Sequence, residues 1–467
     1  MSAAVDILRE FRALVVQERN QPVAAEALGD SNIFAEKFTK FPRQNFHRAW
    51  VRWLSDQPQG VLLAPRDHGK TMTVTVIEAA HRVLQDRDLR VLVCSGSREQ
   101  AVRMGRAIRR LLESVPVRTV FGDVRGEKWT DTELLLSGSA LSEKEASITM
   151  ISAGGSITSG HYDLVILDDI IDFENTRTQP QRDKTFDWFR FTLLPVCSRG
   201  QLWIIGTRYH WDDLYGRLQD SKNWPRTIPI KIERAISTDA AGVKKSLWES
   251  QYTLKKLEQV RAQLGTIIFN AQYQNDADAM KGSIFKAEWL KRFENLPALP
   301  RYQGVDLAIG KKSGSDYFAV VTVSSEKNGN IYVLGSRRGR LSFDEQYREI
   351  KNQHDYYHRP GSPVVKIGIE VNQYQDALAQ RLIERTRLPI RRIHQTKDKL
   401  ARAMRLSALF ENGKIFFPVQ GTEDLEEELL LFPEGAHDDL FDALEMAVSM
   451  AGHGRRPASI TRKPRGM

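Results

Sequence analysis

The segment LAPRDHGKT, Leu63–Thr71, closes an apolar run and opens a stretch of helical periodicity. Backbone NH groups and a helix N-terminus then converge on one point, the arrangement that cradles phosphates. The spacing is that of the phosphate loop G-x-x-x-x-G-K-[ST], with Ala64 where the first glycine is usual. On this reading Arg66, Asp67, His68 and Gly69 belong to the loop that binds the nucleotide, Lys70 neutralises β/γ-phosphate charge, and the Thr71 hydroxyl ligates Mg²⁺. A chance GKT in a surface turn is the competing reading, and the downstream strands weigh against it. DLVILDDII sets four apolar residues before Asp168 and Asp169, as a buried strand does when it delivers a carboxylate to a phosphate-bound Mg²⁺. Asp168 would hold the metal, and Asp169 or Glu174 would orient the attacking water. Arg66 would either stabilise transition-state charge or make a structural ion pair. A third strand ends in IIGTR, so Thr207 and Arg208 suit a nucleotide sensor or a strand-terminal cap. Gln44, in FPRQNFHRAW, has an amide that could read adenine or simply be solvated.

The second half carries a different set of carboxylates. Asp306 lies among apolar neighbours in GVDLAIG, and Glu370 ends the strand IGIEV. Isolated buried carboxylates are costly. In HDDLFDAL, Asp438 and Asp442 are four residues apart and Asp439 and Asp442 three apart, so a helix turns two carboxylates to one face. Taken alone, the helix reads first as a solvated acidic N-terminus favoured by its dipole. Combined with strand hairpins, a further strand and a helix, it follows the RNase H-like order, in which carboxylates converge on two Mg²⁺ or Mn²⁺ ions for phosphodiester hydrolysis. His437 reads as a cap or surface residue at the helix entrance. The segment QTKDKLARAMRLSALF gives a basic face of Lys397, Lys399, Arg402 and Arg405, either solvated or set to hold DNA phosphates.

These residues need two kinds of scaffold. From about Val61 to Thr207, β-branched runs alternate with helical stretches, which predicts a mainly parallel sheet covered on both faces. Helices and irregular segments follow to about Asn275, and NDADAMKGS reads as a hinge. RYQGVDLAIG, DYFAVVTVSS and NIYVLGSRRG then read as three strands joined by tight turns, with a helix near Phe343 to Tyr357, the strand VVKIGIEV, a helix QYQDALAQRLIERT and a final amphipathic helix. The expected division is a motor domain over 1–275, with 209–275 as its lid, a linker over 276–300, a nuclease domain over 301–452 and a disordered basic tail over 453–467.

Lys plus Arg exceed Asp plus Glu by nine, which fits a polyanion partner. No apolar run approaches the roughly 20 residues that span a bilayer, so no membrane role is expected. Two cysteines, Cys94 and Cys197, argue against a disulfide framework or a Cys-based zinc site.

Over about Phe41 to Gly452 these motifs resemble the terminase large-subunit family of tailed phages. The resemblance rests on APRDHGKT, LVILDDII, IIGTR, GTRYHWDDLYGRL, LGTIIFNAQYQND, IGIEVNQYQ and HDDLFDAL. It implies an α/β protein with an N-terminal P-loop ATPase domain of RecA-like, ASCE type and a C-terminal RNase H-like nuclease domain of RuvC type. It also implies ATPase and coupling roles for Lys70, Thr71, Asp168 and Thr207, and nuclease roles for Asp306, Glu370 and an aspartate among Asp438, Asp439 and Asp442. The expected cofactors are ATP with Mg²⁺, and two divalent metals at the second site. The expected partners are double-stranded DNA, a portal on a procapsid, a small terminase subunit and further copies in a pentameric ring, with a monomer in solution compatible, all in the host cell cytoplasm. Family members more often place glutamate after the metal aspartate, where this chain has Asp169. A helicase-nuclease would need a second RecA-like unit, which the second half does not offer, and a DNA-binding scaffold would not need these intact sites.

Overall fold

The computed structural model describes residues 20–142, 145–155, 157, 161–197, 200–220, 228–308, 317–370, 380, 383, 384, 386–394, 399–435 and 437–453. The basic tail, most of the QYQDALAQRLIERT segment and Lys397 lie outside them. The chain forms two compact units, one of residues 1–257 with 270–277, the other of 258–269 with 278–467.

The first unit is built on an eight-stranded sheet in the order β3-β4-β5-β2-β6-β7-β1-β8. The strands are β1 (Gln59–Leu63), β2 (Val91–Ser95), β3 (Arg125–Trp129), β4 (Glu133–Leu136), β5 (Ile148–Ser152), β6 (Leu164–Asp168), β7 (Gln201–Gly206) and β8 (Ile230–Ile232). From β5 to β8 every pairing is parallel, and β3 and β4 add an antiparallel edge. The central strands are apolar throughout because both faces are covered. Leu62, Val91, Val93, Ile166, Trp203 and Ile205 pack into one core, and the alternate Val61, Leu63, Leu92, Cys94, Val165, Leu167 and Ile204 into another. Cys94 and Cys197 are free, buried thiols. The segment 209–275, expected to be helical and irregular, also supplies β8 and a small antiparallel ribbon of β9 (Ile236–Thr238) and β10 (Lys244–Ser246).

The phosphate loop leads from β1 into a π-helix, Thr71–Ile77, that continues as the α-helix Glu78–Gln85. Arg43 is bound to both parts of this run. Its guanidinium donates to Thr73 O at 2.8 Å and to Glu78 at 2.6 Å, with both charged side chains almost wholly buried.

The second unit has a seven-stranded mixed sheet in the order β11-β17-β14-β13-β12-β15-β16. Its strands are β11 (Lys291–Arg292), β12 (Arg301–Asp306), β13 (Phe318–Ser325), β14 (Ile331–Gly339), β15 (Val364–Glu370), β16 (Ile390–Ile393) and β17 (Ile415–Phe417). β12, β13 and β14 form the expected antiparallel meander, and β15 joins β12 in parallel. Within 276–300, read as linker, β11 pairs with β17 and so belongs to this sheet. The helix Phe343–Tyr357 covers one face through Ile350, against Val305, Val320, Ile367 and Ile369.

The helix Asp439–Val448 approaches β12 at Gly304, where a Cβ would stand 2.0 Å from Ala443 O. The parallel register pairs Gly304 with Gly368, whose own Cβ would stand 2.7 Å from Met450. Two glycines side by side therefore make the flat floor on which the C-terminal helix rests.

Candidate active sites

Parallel strands end together, so residues just beyond β1, β6 and β7 share one edge of the first sheet. The loop after β1 passes through left-handed conformations at Asp67 (φ 60°) and Gly69 (φ 78°). Asp67 is a non-glycine residue in that region, a placement found most often at functional turns. Lys70 Nζ donates to Thr207 Oγ1 at 2.7 Å and lies 3.1 Å from Asp169 Oδ2. Thr71 Oγ1 donates to Asp168 Oδ1 at 3.1 Å, and Thr75 Oγ1 donates to the other oxygen, Oδ2. Asp168 is fully buried, and burial, then the neighbouring Asp169, pushes its pKa up to about 7. A hydroxyl and a carboxylate at this spacing are the oxygen donors a hard divalent cation prefers.

Arg66, Asp67, Gly69, Lys70, Thr71, Asp169 and Thr207 line one cleft of about 600 Å³. The remaining expected residues lie elsewhere. His68 turns inward, bonding Arg66 O at 2.8 Å through Nδ1 and stacking on Tyr252 at 4.7 Å, so it shapes the loop without facing the cleft. Burial pushes its pKa down to about 4, which keeps it neutral. Gln44 precedes the helix Asn45–Ser55; its backbone NH donates to His47 Nδ1 at 3.0 Å and its amide to Pro42 O at 3.3 Å, and it does not line the cleft. Glu174 is 74% exposed beside Arg177 and is also absent from the lining. Arg66 Nη1 donates to Gln272 Oε1 at 3.1 Å, within the LGTIIFNAQYQND motif. Arg208 is buried against Asp213 at 3.0 Å and the carbonyls of His210 and Trp211, which makes it a clamp on the turn after β7.

The cleft also takes in Gln100, Arg103, Asp172 and Tyr209, which sequence reasoning missed. For Gln100 and Arg103 the signal was available. Their helix, Arg98–Leu112, starts directly after β2, at the same sheet edge as the phosphate loop. Thr75 was also missed, although it lies four residues after Thr71 on the same helical run.

In the second unit Asp306 ends β12 and Glu370 ends its parallel neighbour β15. Each lies two residues beyond a floor glycine, hence on the face that receives the C-terminal helix. Asp438 precedes that helix, and Asp439 and Asp442 are buried in its first turn. Burial, then Asp442, Glu370 and Asp439, raises the pKa of Asp306 well above the usual carboxylate range. Burial and then Asp442 raise that of Glu370. The expected carboxylates are thus brought into one field. His437 stands at the helix entrance and meets Tyr317 edge to face at 4.8 Å.

The donor set is one that hard cations use, but the side chains do not close around a metal. Among the described residues no group of three or more His, Cys, Asp or Glu is arranged to hold one. Basic residues meet the carboxylates instead. Lys399 Nζ pairs with Asp438 and with Asp442 Oδ2 at 2.5 Å, and Arg402 Nη1 with Asp442 Oδ1 at 2.7 Å. This corrects the reading of Lys399 and Arg402 as a solvated or DNA-facing surface; Arg405, half exposed and 3.9 Å from Glu445, is nearer to that description. Glu428, also missed, accepts the Phe441 backbone NH at 2.8 Å and so caps the turn that carries the aspartates.

The architecture defines a class of protein in which a P-loop nucleotide-binding unit is joined to an RNase H-like unit. Residues 303–451 match the family model described as the terminase RNaseH-like domain. The terminase large subunit of Enterobacteria phage T3 is 25% identical over 190 residues, 39% of this chain. That alignment spans 32% of the relative, so the chain covers about a third of its length. The crystal structure of the large terminase from the thermophilic bacteriophage D6E has a similar fold, with a TM-score of 0.52 at 11% identity, covering 88% of this chain and 99% of that one. Residues 303–451 are thus similar to the terminase RNaseH-like domain, and the chain as a whole shares its fold with a phage large terminase. Among the described residues no helix is long and apolar enough to cross a membrane.

Proposed function

We propose that this chain packages double-stranded viral DNA into a procapsid by ATP hydrolysis and cuts concatemeric DNA at a second, metal-dependent site. The observation that carries the reading is the pairing, in one chain, of the Lys70–Thr71–Asp168–Thr207 constellation with the Asp306–Glu370–Asp442 cluster on a separate unit. In the first site Lys70 binds the β/γ-phosphates, Thr71 and Asp168 hold the nucleotide's Mg²⁺, and Asp169, at the cleft wall, positions the attacking water. Thr207, bonded to Lys70, reports the state of that ammonium to β7. Arg66, which lines the cleft, would meet developing phosphate charge on leaving Gln272.

In the second site Asp306, Glu370 and Asp442, with Asp438 or Asp439, would hold two Mg²⁺ or Mn²⁺ ions. Such ions activate water and stabilise a leaving 3′-oxygen. The chain's own part is to keep oxygen donors desolvated and aligned on a rigid strand-and-helix floor. The partners that follow are DNA, a portal, a small terminase subunit and further copies in a ring, within the host cytoplasm. The test is a DNA-stimulated ATPase assay alongside Mn²⁺-dependent cutting of plasmid DNA. Both activities in one purified chain are expected, and the absence of either would overturn the corresponding half.

A further inference from the structure

Two cations meet the acidic cluster of the second unit, and they are held in different ways. Arg402 is 6% exposed, pairs with Glu445 at 3.4 Å as well as with Asp442, and lies 5.8 Å over the Phe441 ring. It is fixed from three sides. Lys399 is 29% exposed, opens the helix Lys399–Glu411, and its ammonium is bound by Asp438 and Asp442. Its charge also acts on Asp306 and Glu370, which it does not contact as it does Asp438 and Asp442.

An ammonium is a compact point charge on a flexible stem, and in a carboxylate cluster it does electrostatically what a small metal ion does. The two cannot share the place. A divalent ion ligated by Asp442 Oδ2 would lie about 2.0–2.6 Å from that oxygen. Lys399 Nζ is 2.5 Å from the same atom.

We propose that Lys399 is an internal counter-ion of the candidate nuclease site, occupying the cation position between Asp438 and Asp442 and leaving it when a divalent metal binds, while Arg402 stays in place. The proposal rests on reading the cluster as a metal site. It explains why the expected carboxylates converge without closing around a metal: the arrangement is the one neutralised from within. Metal binding is then an exchange of cations, so apparent affinity is lowered by the work of expelling the ammonium. The uncompensated carboxylates are also kept from repelling one another while no metal is present.

The experiment is a calorimetric titration of the full chain with Mn²⁺, comparing wild type, Lys399→Met and Arg405→Met. The last removes an equal charge from the same helix but from a half-exposed position outside the cluster. Lys399→Met should bind Mn²⁺ at least about tenfold more tightly than wild type, and Arg405→Met within about twofold of it, because only the first charge is at contact distance. A second measurement needs no variant. Lysine acetylation read by peptide mass spectrometry should show Lys399 protected without metal and several-fold more reactive at saturating Mn²⁺, with the exposed Lys255 unchanged. If wild type binds Mn²⁺ while Lys399 stays protected, or if Lys399→Met gains no more affinity than Arg405→Met, the counter-ion proposal fails and the metal site stands. If neither wild type nor Lys399→Met binds Mn²⁺, both fall together.

Discussion

Lys70 makes its contacts to Thr207 and Asp169 from a loop held in place by neighbours that never face the cleft. His47 donates from Nε2 to His68 O at 2.8 Å and accepts the Gln44 NH at Nδ1, which is possible only for the neutral ring. Burial pushes the His47 pKa down to about 4, against an ordinary value near 6.5. A lowered histidine pKa favours the fold when the ring is neutral, so this contribution is present above pH 6.5 and is lost as pH falls toward 4. Replacing His47 by Gln should lower the melting temperature by several degrees at pH 7.5, and the gap to wild type should shrink between pH 6.5 and 4.5. Thermal melts across that range would check it; a gap that stays constant would mean the ring's ionisation is irrelevant. The two rival carboxylates of this site separate on position. Asp169 adopts φ 46°, carries the ion pair to Lys70 and walls the cleft, whereas Glu174 points to solvent. Asp169→Asn should therefore cut ATP turnover by about 10²–10⁴-fold, the range for a positioned proton acceptor, with nucleotide binding retained. Glu174→Gln should stay within about twofold. Loss of turnover in the second alone would reverse the assignment.

At the scale of elements, the alternation of apolar strands and helices was legible because central strands buried on both faces leave unbroken runs such as LVILD. The meander of the second unit was legible in its apolar runs, with Asn328, Gly329 and Asn330 marking the turn between β13 and β14. Three features were not. The edge pair β3–β4 is short and half exposed, so its residues carry no strong period. TMTVTVI reads as any helix start, and nothing in its own spacing marks the π-helical form or the Arg43 guanidinium that donates to Thr73 O. The inward turn of Lys399 and Arg402 depends on how the Lys399–Glu411 helix lies against the C-terminal helix, which spacing within one helix does not encode. A further pattern was present but unread: GVD and GIE each place glycine two residues before a site carboxylate. In register on adjacent strands, Gly304 and Gly368 let the C-terminal helix come close, and the charge of Asp442 on that helix acts on Asp306. Gly304→Ala removes no charged group yet must push against the Ala443 carbonyl. Overpacking of this kind costs about 1–3 kcal/mol. The variant should melt lower and lose metal-dependent cutting, while ATP turnover in the first unit continues. Cutting at the wild-type rate would show that the close approach does not position the site.

At the scale of the whole molecule, the two candidate sites stand on unrelated sheets in separate compact units, one mainly parallel with a phosphate loop at its strand ends, the other mixed with carboxylates at two strand ends and one helix turn. Their chemistry should therefore be separable in the full chain. Lys70→Ala removes the ammonium proposed to meet the β/γ-phosphates, and loss of such a preorganised charge is expected to slow ATP hydrolysis by at least about 10²–10³-fold. Packaging should stop, yet Mn²⁺-dependent cutting of plasmid DNA should persist. Asp306→Asn should do the reverse, withdrawing a donor from the second site so that cutting falls to background while ATPase activity and translocation of DNA with preformed ends continue. Folding must be tested in the same preparation, and the sign is fixed in advance. Because the fold raises the Asp306 pKa, the ionised carboxylate opposes folding, and the contribution of the protonated form is full below the ordinary carboxylate range and is lost as pH rises through the raised value. At pH 7 without added metal, Asp306→Asn should then melt no lower than wild type. A folded Asp306→Asn protein that still cuts at the wild-type rate under Mn²⁺ would place the nuclease site elsewhere, and a Lys70→Ala protein that loses cutting along with ATP turnover would show that the two sites are coupled and not separate.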